Sequence, residues 1–123
     1  MVRFQVLVSI LVPLVLLLGI SATTEGPWIT IHDLNDPRVI DIAKFAVSEL
    51  NKKISPGGLE FKSVDQGWSQ LGRIGGFISH TNFKLDITTL RQDASVHKYE
   101  VIVLELTDAR NFMSLSSYKE LHV

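Results

Sequence analysis

Four histidines, His32, His80, His97 and His122, and the carboxylates Asp86 and Asp108 are the side chains of this 123-residue chain that could carry acid–base chemistry. An imidazole exchanges protons near neutral pH, and a carboxylate can orient it. Their spacing matches no catalytic pattern. The chain has no Gly-x-Ser-x-Gly, no His-Glu-x-x-His and no glycine loop that would cradle a phosphate. No two histidines stand at helical or hairpin ligand spacing, so no metal is expected. The absence of cysteine removes a thiol nucleophile, a thiolate metal site and a disulfide scaffold. Neither catalysis nor a cofactor is expected, and the histidines read as scattered surface residues.

Composition narrows the partners. The net charge is −1, and it becomes −2 if Arg3 is lost with an N-terminal leader. A mildly acidic domain has no electrostatic footprint for nucleic acid. Arg3 supplies a positive n-region, and Phe4 to Ala22 carries no charge. Val6-Leu7-Val8 through Leu16-Leu17-Leu18-Gly19-Ile20 forms an apolar core, and Ile20-Ser21-Ala22 offers small residues for cleavage. Residues 1–22 are therefore expected to be a removable secretory signal, with a retained membrane anchor as the alternative. Pro13 and the small terminal residues favour cleavage. No membrane contact is expected once the leader is gone. The protein is expected to be secreted or held in the endomembrane or vacuolar system. Residues 23–123 suffice for one domain with a modest core. No Asn-x-Ser/Thr sequon accompanies Asn35, Asn51, Asn82 or Asn111, so N-glycosylation is not expected.

Thr23-Thr24-Glu25-Gly26-Pro27 reads as a flexible lead-in, and Trp28-Ile29-Thr30-Ile31 as a brief strand. Asp36 with Pro37 forms a helix start, because an N-cap carboxylate accepts from free amides and proline needs no donor there. Val39, Ile42, Ala43, Ala46, Val47 and Leu50 then share one face at helical spacing, which predicts a helix over residues 37–52. Phe45 falls outside that stripe and is expected to fold under onto a neighbouring strand. Lys52-Lys53 suits the negative end of the helix dipole, and Pro56-Gly57-Gly58 ends it. Strands are predicted over 59–64, 82–88, 99–106 and 115–121. The clearest has Phe83, Leu85 and Ile87 on one face. One helix followed by strands, without βαβ alternation, predicts an α+β fold with the helix across an antiparallel sheet.

Three blocks resemble the plant cystatins, inhibitors of papain-like cysteine proteases. Gly26-Pro27-Trp28-Ile29-Thr30-Ile31 is similar to that family's Gly-Trp-x-x-Ile segment. Ile42-Ala43-Lys44-Phe45-Ala46-Val47-Ser48-Glu49-Leu50-Asn51 resembles its Leu-Ala-Arg-Phe-Ala-Val-x-Glu-x-Asn helix. Leu59-Glu60-Phe61 with Val64, Thr81-Asn82-Phe83-Lys84-Leu85, Tyr99-Glu100-Val101 with Val103, and Leu115-Ser116-Ser117-Tyr118-Lys119 follow its strand pattern. The absence of cysteine fits the plant group.

The resemblance implies a cystatin-like fold, one helix packed across a four- to five-stranded antiparallel sheet. It also implies a reversible, non-catalytic inhibitor serving plant defence. Such a protein wedges an N-terminal segment and two hairpins into the cleft of a papain-like cysteine protease. The alternative is a cystatin-fold binding protein that inhibits nothing. A monomer is expected, although no residue fixes the oligomeric state.

The implied contact residues are Gly26 and Pro27, then Gln70, Leu71, Gly72, Arg73 and Ile74, then Thr107 and Asp108. Gly26 reads equally as a linker glycine. The first hairpin lacks the family's Gln-x-Val-x-Gly. Counting forward from Val64 places its Gln at Gln70, whereas counting back from Thr81 places the motif at Gly76-Phe77-Ile78-Ser79-His80. The hairpin is thus lengthened. The forward count is preferred because extra residues are tolerated best at a hairpin tip. Gly72, Gly75 and Gly76 are expected to make that hairpin a mobile loop. Trp68 just before it reads as a strand residue packed on the sheet rather than a protease contact. In the second hairpin, Thr107-Asp108 stands where the family has Pro-Trp, and Phe112 is a displaced substitute. Losing a tryptophan anchor costs about 2 kcal/mol or more, roughly thirtyfold in affinity, so weak inhibition is expected.

Overall fold

The structure is a computed structural model that describes residues 23–54, 57–108 and 112–122. The leader, Pro56 and Ala109 to Asn111 lie outside the described residues. The elements are β1 (Thr23–Glu25), β2 (Ile29–Thr30), α1 (Pro37–Lys53), β3 (Glu60–Ile74), β4 (Phe77–Leu90), β5 (Val96–Leu106) and β6 (Met113–Leu121). They form one six-stranded sheet in the order β1-β3-β4-β5-β6, with β2 also paired to β3. Every pairing is antiparallel. The expected α+β fold is present, with more strand than the sequence pattern indicated.

α1 starts where a carboxylate meets a free amide. The Asp36 side chain accepts from Arg38 N at 2.8 Å, and Pro37 follows at the first helical position. The helix carries Lys52 and Lys53 in its last turn. Val39, Ile42, Ala43, Ala46, Val47 and Leu50 are buried as one stripe against Val64, Leu85, Ile87, Tyr99, Val101 and Val103. Phe45 packs half-buried against that core, as expected. An ion pair from Arg38 to Glu105 joins the start of the helix to β5.

Asn51 fixes the other end. Its Nδ2 donates to Leu59 O at 2.9 Å, and its Oδ1 accepts from Leu59 N at 2.7 Å. This reciprocal pair saturates a residue that is itself buried and aims the chain into β3.

Side chains alternate across the strands, so residues on either side of Leu85 and Ile87 project from the uncovered face of the sheet. Lys84 there lies 4.7 Å from the Trp28 ring centroid and 4.9 Å from that of Trp68. Two such cation–π contacts on one ammonium fasten the chain after Pro27 onto β3. Asp86 sits beside them, opposite Glu100 in the β4–β5 register. Burial raises its pKa, and the charges of Glu100 and Asp65 add to the rise. Its Oδ1 is buried without a hydrogen-bond partner.

Two measurements test these contacts. Asn51→Ala leaves an amide and a carbonyl of Leu59 unmatched and should cost about 2 kcal/mol or more in urea unfolding. Asp86→Asn should raise the urea midpoint at pH 7, because a raised folded-state pKa means that folding penalises the ionised carboxyl. As pH falls the folded carboxyl takes up its proton first, so the gain should fade between the raised folded pKa and the ordinary aspartate value and be absent below it.

Candidate functional site

Three chain segments meet at one end of the sheet. The N-terminal segment runs antiparallel along β3, with Thr23 opposite Ile74 and Glu25 opposite Gly72. Thr23 to Glu25 is thus a strand, not the flexible lead-in expected. β3 offers it an unpaired edge, and pairing there does not need apolar side chains. Between Glu25↔Gly72 and Ile29↔Ser69 the register slips by one residue. That slip leaves Gly26, Pro27 and Trp28 as a bulge in the edge strand. Gly26 N still donates to Leu71 O at 2.9 Å, and Gln70 Nε2 donates to Gly26 O at 2.8 Å. Gly26 and Gln70, implied contacts from distant parts of the chain, therefore hold each other.

The first hairpin differs from the expected mobile loop. Gln70, Leu71, Gly72, Arg73 and Ile74 are all strand, and only Gly75-Gly76 turns. Both glycines have positive φ, 58° and 86°, which suits the two-residue turn whose twist matches paired strands. The added length is therefore a ribbon. β5 reaches only as far as Leu106 opposite His80, so Phe77, Ile78 and Ser79 project past it. Ile74 and Phe77 are direct cross-strand partners and share a face, while Arg73 and Ile78 share the other. Phe77 is 80% exposed. Leu71, Ile74, Ile78, Leu106 and Phe112 are exposed at the same end. The backward count from Thr81 includes Phe77 and Ile78, and the preferred forward count does not. Their exposure was the available signal, since an isolated aromatic beside a Gly-Gly turn has no core to enter.

Thr107 and Asp108 close the group. Both are exposed bends after β5, and Thr107 N donates to Ser79 O at 3.0 Å. Leu106 N donates to Phe112 O at 3.3 Å across the second hairpin. Trp68 lies half-buried in β3 under Lys84, in keeping with its reading as a strand residue.

Polar side chains lace the first two segments together. Glu25 Oε1 lies 3.1 Å from His80 Nε2, and Glu25 Oε2 accepts from Asn82 Nδ2 at 3.0 Å. Asn82 Nδ2 also donates to Gln70 Oε1 at 3.1 Å. His80 Nδ1 lies 2.8 Å from Ser79 Oγ, which donates to Gly72 O at 3.3 Å. His80 is only 8% exposed, so it is not the surface histidine expected. Its ring occupies the space where Gly72 has no side chain: a Cβ on Gly72 would lie 2.1 Å from Nε2.

The remaining acid–base candidates lie elsewhere. His32 and His122 are exposed, and Asp86 sits amid the uncovered face. His97 belongs to the opposite end of the sheet, by the β4–β5 turn. Ser95 Oγ lies 2.9 Å from His97 Nε2, and His97 Nδ1 lies 3.1 Å from Glu120 Oε2. The chain of serine, histidine and carboxylate has the order of a hydrolase triad. Yet Ser95 Oγ donates to Asp93 Oδ1 at 2.6 Å, and Ser95 N donates to the same oxygen at 3.0 Å. The hydroxyl proton and the amide nearest it are both engaged by Asp93, leaving neither a poised nucleophile nor a free donor for an oxyanion. The hydrogen bond from His97 holds the Glu120 carboxyl below its ordinary pKa, and Ser95 does the same for Asp93. These bonds staple the turn to β6. No group of three or more metal-ligating side chains occurs among the described residues.

The chain as a whole is similar to known proteins. The model of a family described as "Aspartic acid proteinase inhibitor" matches residues 31–121. A protein of Arabidopsis thaliana named "Cysteine proteinase inhibitor 5" is 34% identical over 118 residues, covering 96% of this chain and 90% of that protein. "Putative cysteine proteinase inhibitor 7" of Oryza sativa subsp. japonica is 30% identical over 104 residues, covering 85% and 83%. "Cysteine proteinase inhibitor 1" of Actinidia chinensis var. chinensis is 33% identical over 102 residues, covering 83% and 80%. No solved structure matches this chain.

Proposed function

The chain belongs to the plant cystatin-like family of proteinase inhibitors, and we propose that it reversibly inhibits papain-like cysteine proteinases by seating its rim in the active-site cleft. The rim is the N-terminal segment around Gly26 and Pro27, the tip of the first hairpin and the turn at Thr107-Asp108. One observation carries the proposal: these segments, remote in sequence, are hydrogen-bonded to one another at one end of the sheet, where apolar side chains stand exposed.

Exclusion, not reaction, is the chemistry such a rim performs. A proteinase cleaves a strand that lies extended in its cleft with free backbone groups. At Gly72 the chain is already paired on both sides, to Glu25 and to His80, so it cannot lie in the cleft as a substrate strand without unzipping. Gly26 and Gly75-Gly76 present backbone with no side chain in the way. Affinity then comes from apolar burial around a few anchors. Thr107-Asp108 supplies no aromatic anchor, and Phe77 is the side chain best placed to take that role. Residues 1–22 act as the leader that exports the inhibitor.

The family described as "Aspartic acid proteinase inhibitor" matches three-quarters of the chain and motivates a second reading, in which the same rim meets an aspartic proteinase.

Titration of the protein against papain and against pepsin separates the readings. Inhibition of papain at or below micromolar concentration is expected. Inhibition of pepsin alone would transfer the rim to the second reading, and inhibition of neither would leave a non-inhibitory binding protein. Phe77→Ala should weaken inhibition by roughly tenfold or more with an unchanged melting temperature, because the side chain is exposed. Asp108→Trp should tighten it by a similar factor, because it supplies an aromatic anchor and keeps the Thr107 amide that donates to Ser79 O.

A further inference from the structure

We propose that His80 is a positioning residue whose contact with Glu25 latches the N-terminal segment to the first hairpin, so that the rim meets a proteinase preassembled. The inference rests on the inhibitor reading of the rim, and it concerns a pair outside the preferred contact positions, Glu25 beside Gly26 and His80 facing Gly72.

β1 is three residues long and lies at the edge of the sheet. Its residues are exposed, so backbone pairing alone holds it weakly. Two side chains add to that pairing. Glu25 bridges His80 and Asn82 through its two oxygens, at 3.1 and 3.0 Å. Gln70, itself held by Asn82, grips Gly26 O. His80 is the buried member of this set, and its position is fixed by the absent side chain of Gly72 beneath its ring.

His80 also reaches the third segment. Its Nδ1 contacts Ser79 Oγ, and the backbone carbonyl of Ser79 accepts from Thr107 N at 3.0 Å. One side chain thus stands between the N-terminal segment, the ribbon and the second turn. Across the sheet its β5 neighbour is the apolar Leu106, so Glu25 is the charged group that hydrogen-bonds it. Ordering a free segment at the moment of binding lowers affinity, and a segment ordered beforehand avoids that loss. Glu25 and His80 are 55 residues apart in sequence, and nothing in the local pattern of either indicates the other.

The test compares the full chain with Glu25→Ala, His80→Ala, His80→Gln and the double variant Glu25→Ala/His80→Ala. Each is titrated against papain, and hydrogen exchange is read at the Gly26 amide. Each single alanine variant should weaken inhibition by about tenfold, the size expected for a partly exposed, charge-assisted contact. The double variant should lose no more than the worse single variant, because both changes open the same latch. Gly26 should exchange about tenfold faster in all three, while the buried amides of Ile87 and Val101 stay protected. His80→Gln should keep inhibition within about threefold, since a Gln amide retains a donor for Glu25.

Losses that add in the double variant, or a Gly26 amide whose exchange does not change, would overturn the latch. Loss of protection at Ile87 and Val101 in His80→Ala would mark that variant as misfolded, and Glu25→Ala, altered at an exposed site, then decides. A wild-type chain that inhibits neither papain nor pepsin overturns the inhibitor reading of the rim, and the exchange measurement alone then decides whether the latch exists.

Discussion

Without a disulfide, this domain depends on the burial of one helical stripe against one face of a sheet. Ile42, Ala43, Ala46 and Leu50 are fully buried, and so are Leu85, Ile87, Val101 and Val103 facing them. Large-to-small changes at such sites cost about 2–5 kcal/mol, a sizeable share of a small domain's total stability. The same burial fixes strand register, because a slip of one residue would turn Leu85 and Ile87 away from the helix and bring Lys84 and Asp86 under it. Register set in the core is carried along β3 and β4 to their tip. There it decides that Ile74 and Phe77 share a face, that His80 lies over Gly72, and that Glu25 arrives opposite Gly72 within reach of His80.

The molecule therefore has two regions under different constraints. Core positions are chosen for burial, with Asn51 closing the helix end by matching both backbone groups of Leu59. The rim keeps large apolar side chains in water, Phe77 above all. It does so on a ribbon whose own polar contacts, not a core, hold it in shape. Exposed apolar side chains clustered at one end are what an association surface needs. The opposite end, with Ser95, His97 and Glu120, is laced by polar contacts of its own.

The helix was legible because its signals are local. Asp36-Pro37 and the 3.6-residue period gave its start and buried face, and its end fell one residue beyond the expected Lys52. β4 and β5 were legible through alternation. β3 was read only to Val64 although it continues to Ile74. Asp65, Gln66, Gly67, Gln70 and Gly72 break the alternation, and register shifts at Phe61/Ser63, Val64/Gln66 and Gly72/Arg73 interrupt the period itself. Those residues are strand because β4 on one side, and β1 and β2 on the other, supply partners. The resemblance named segments that the structure brings to one end of the sheet. The side chains that hold the rim together were not legible, since a contact such as Gln70 to Gly26 exists only once β3 has its edge partner.

Hydrogen-exchange footprinting of the full chain, alone and with saturating papain whose active-site thiol is blocked by a small methylthio group, tests the central claim most directly. New protection should fall on Thr23 to Gly26, Leu71 to Ser79 and Leu106 to Asp108 together, with the β4–β5 turn at Asp93 to His97 unchanged. Protection centred on that turn or on the exposed face of α1, or protection of only one of the three segments, would contradict a single rim that fills the cleft.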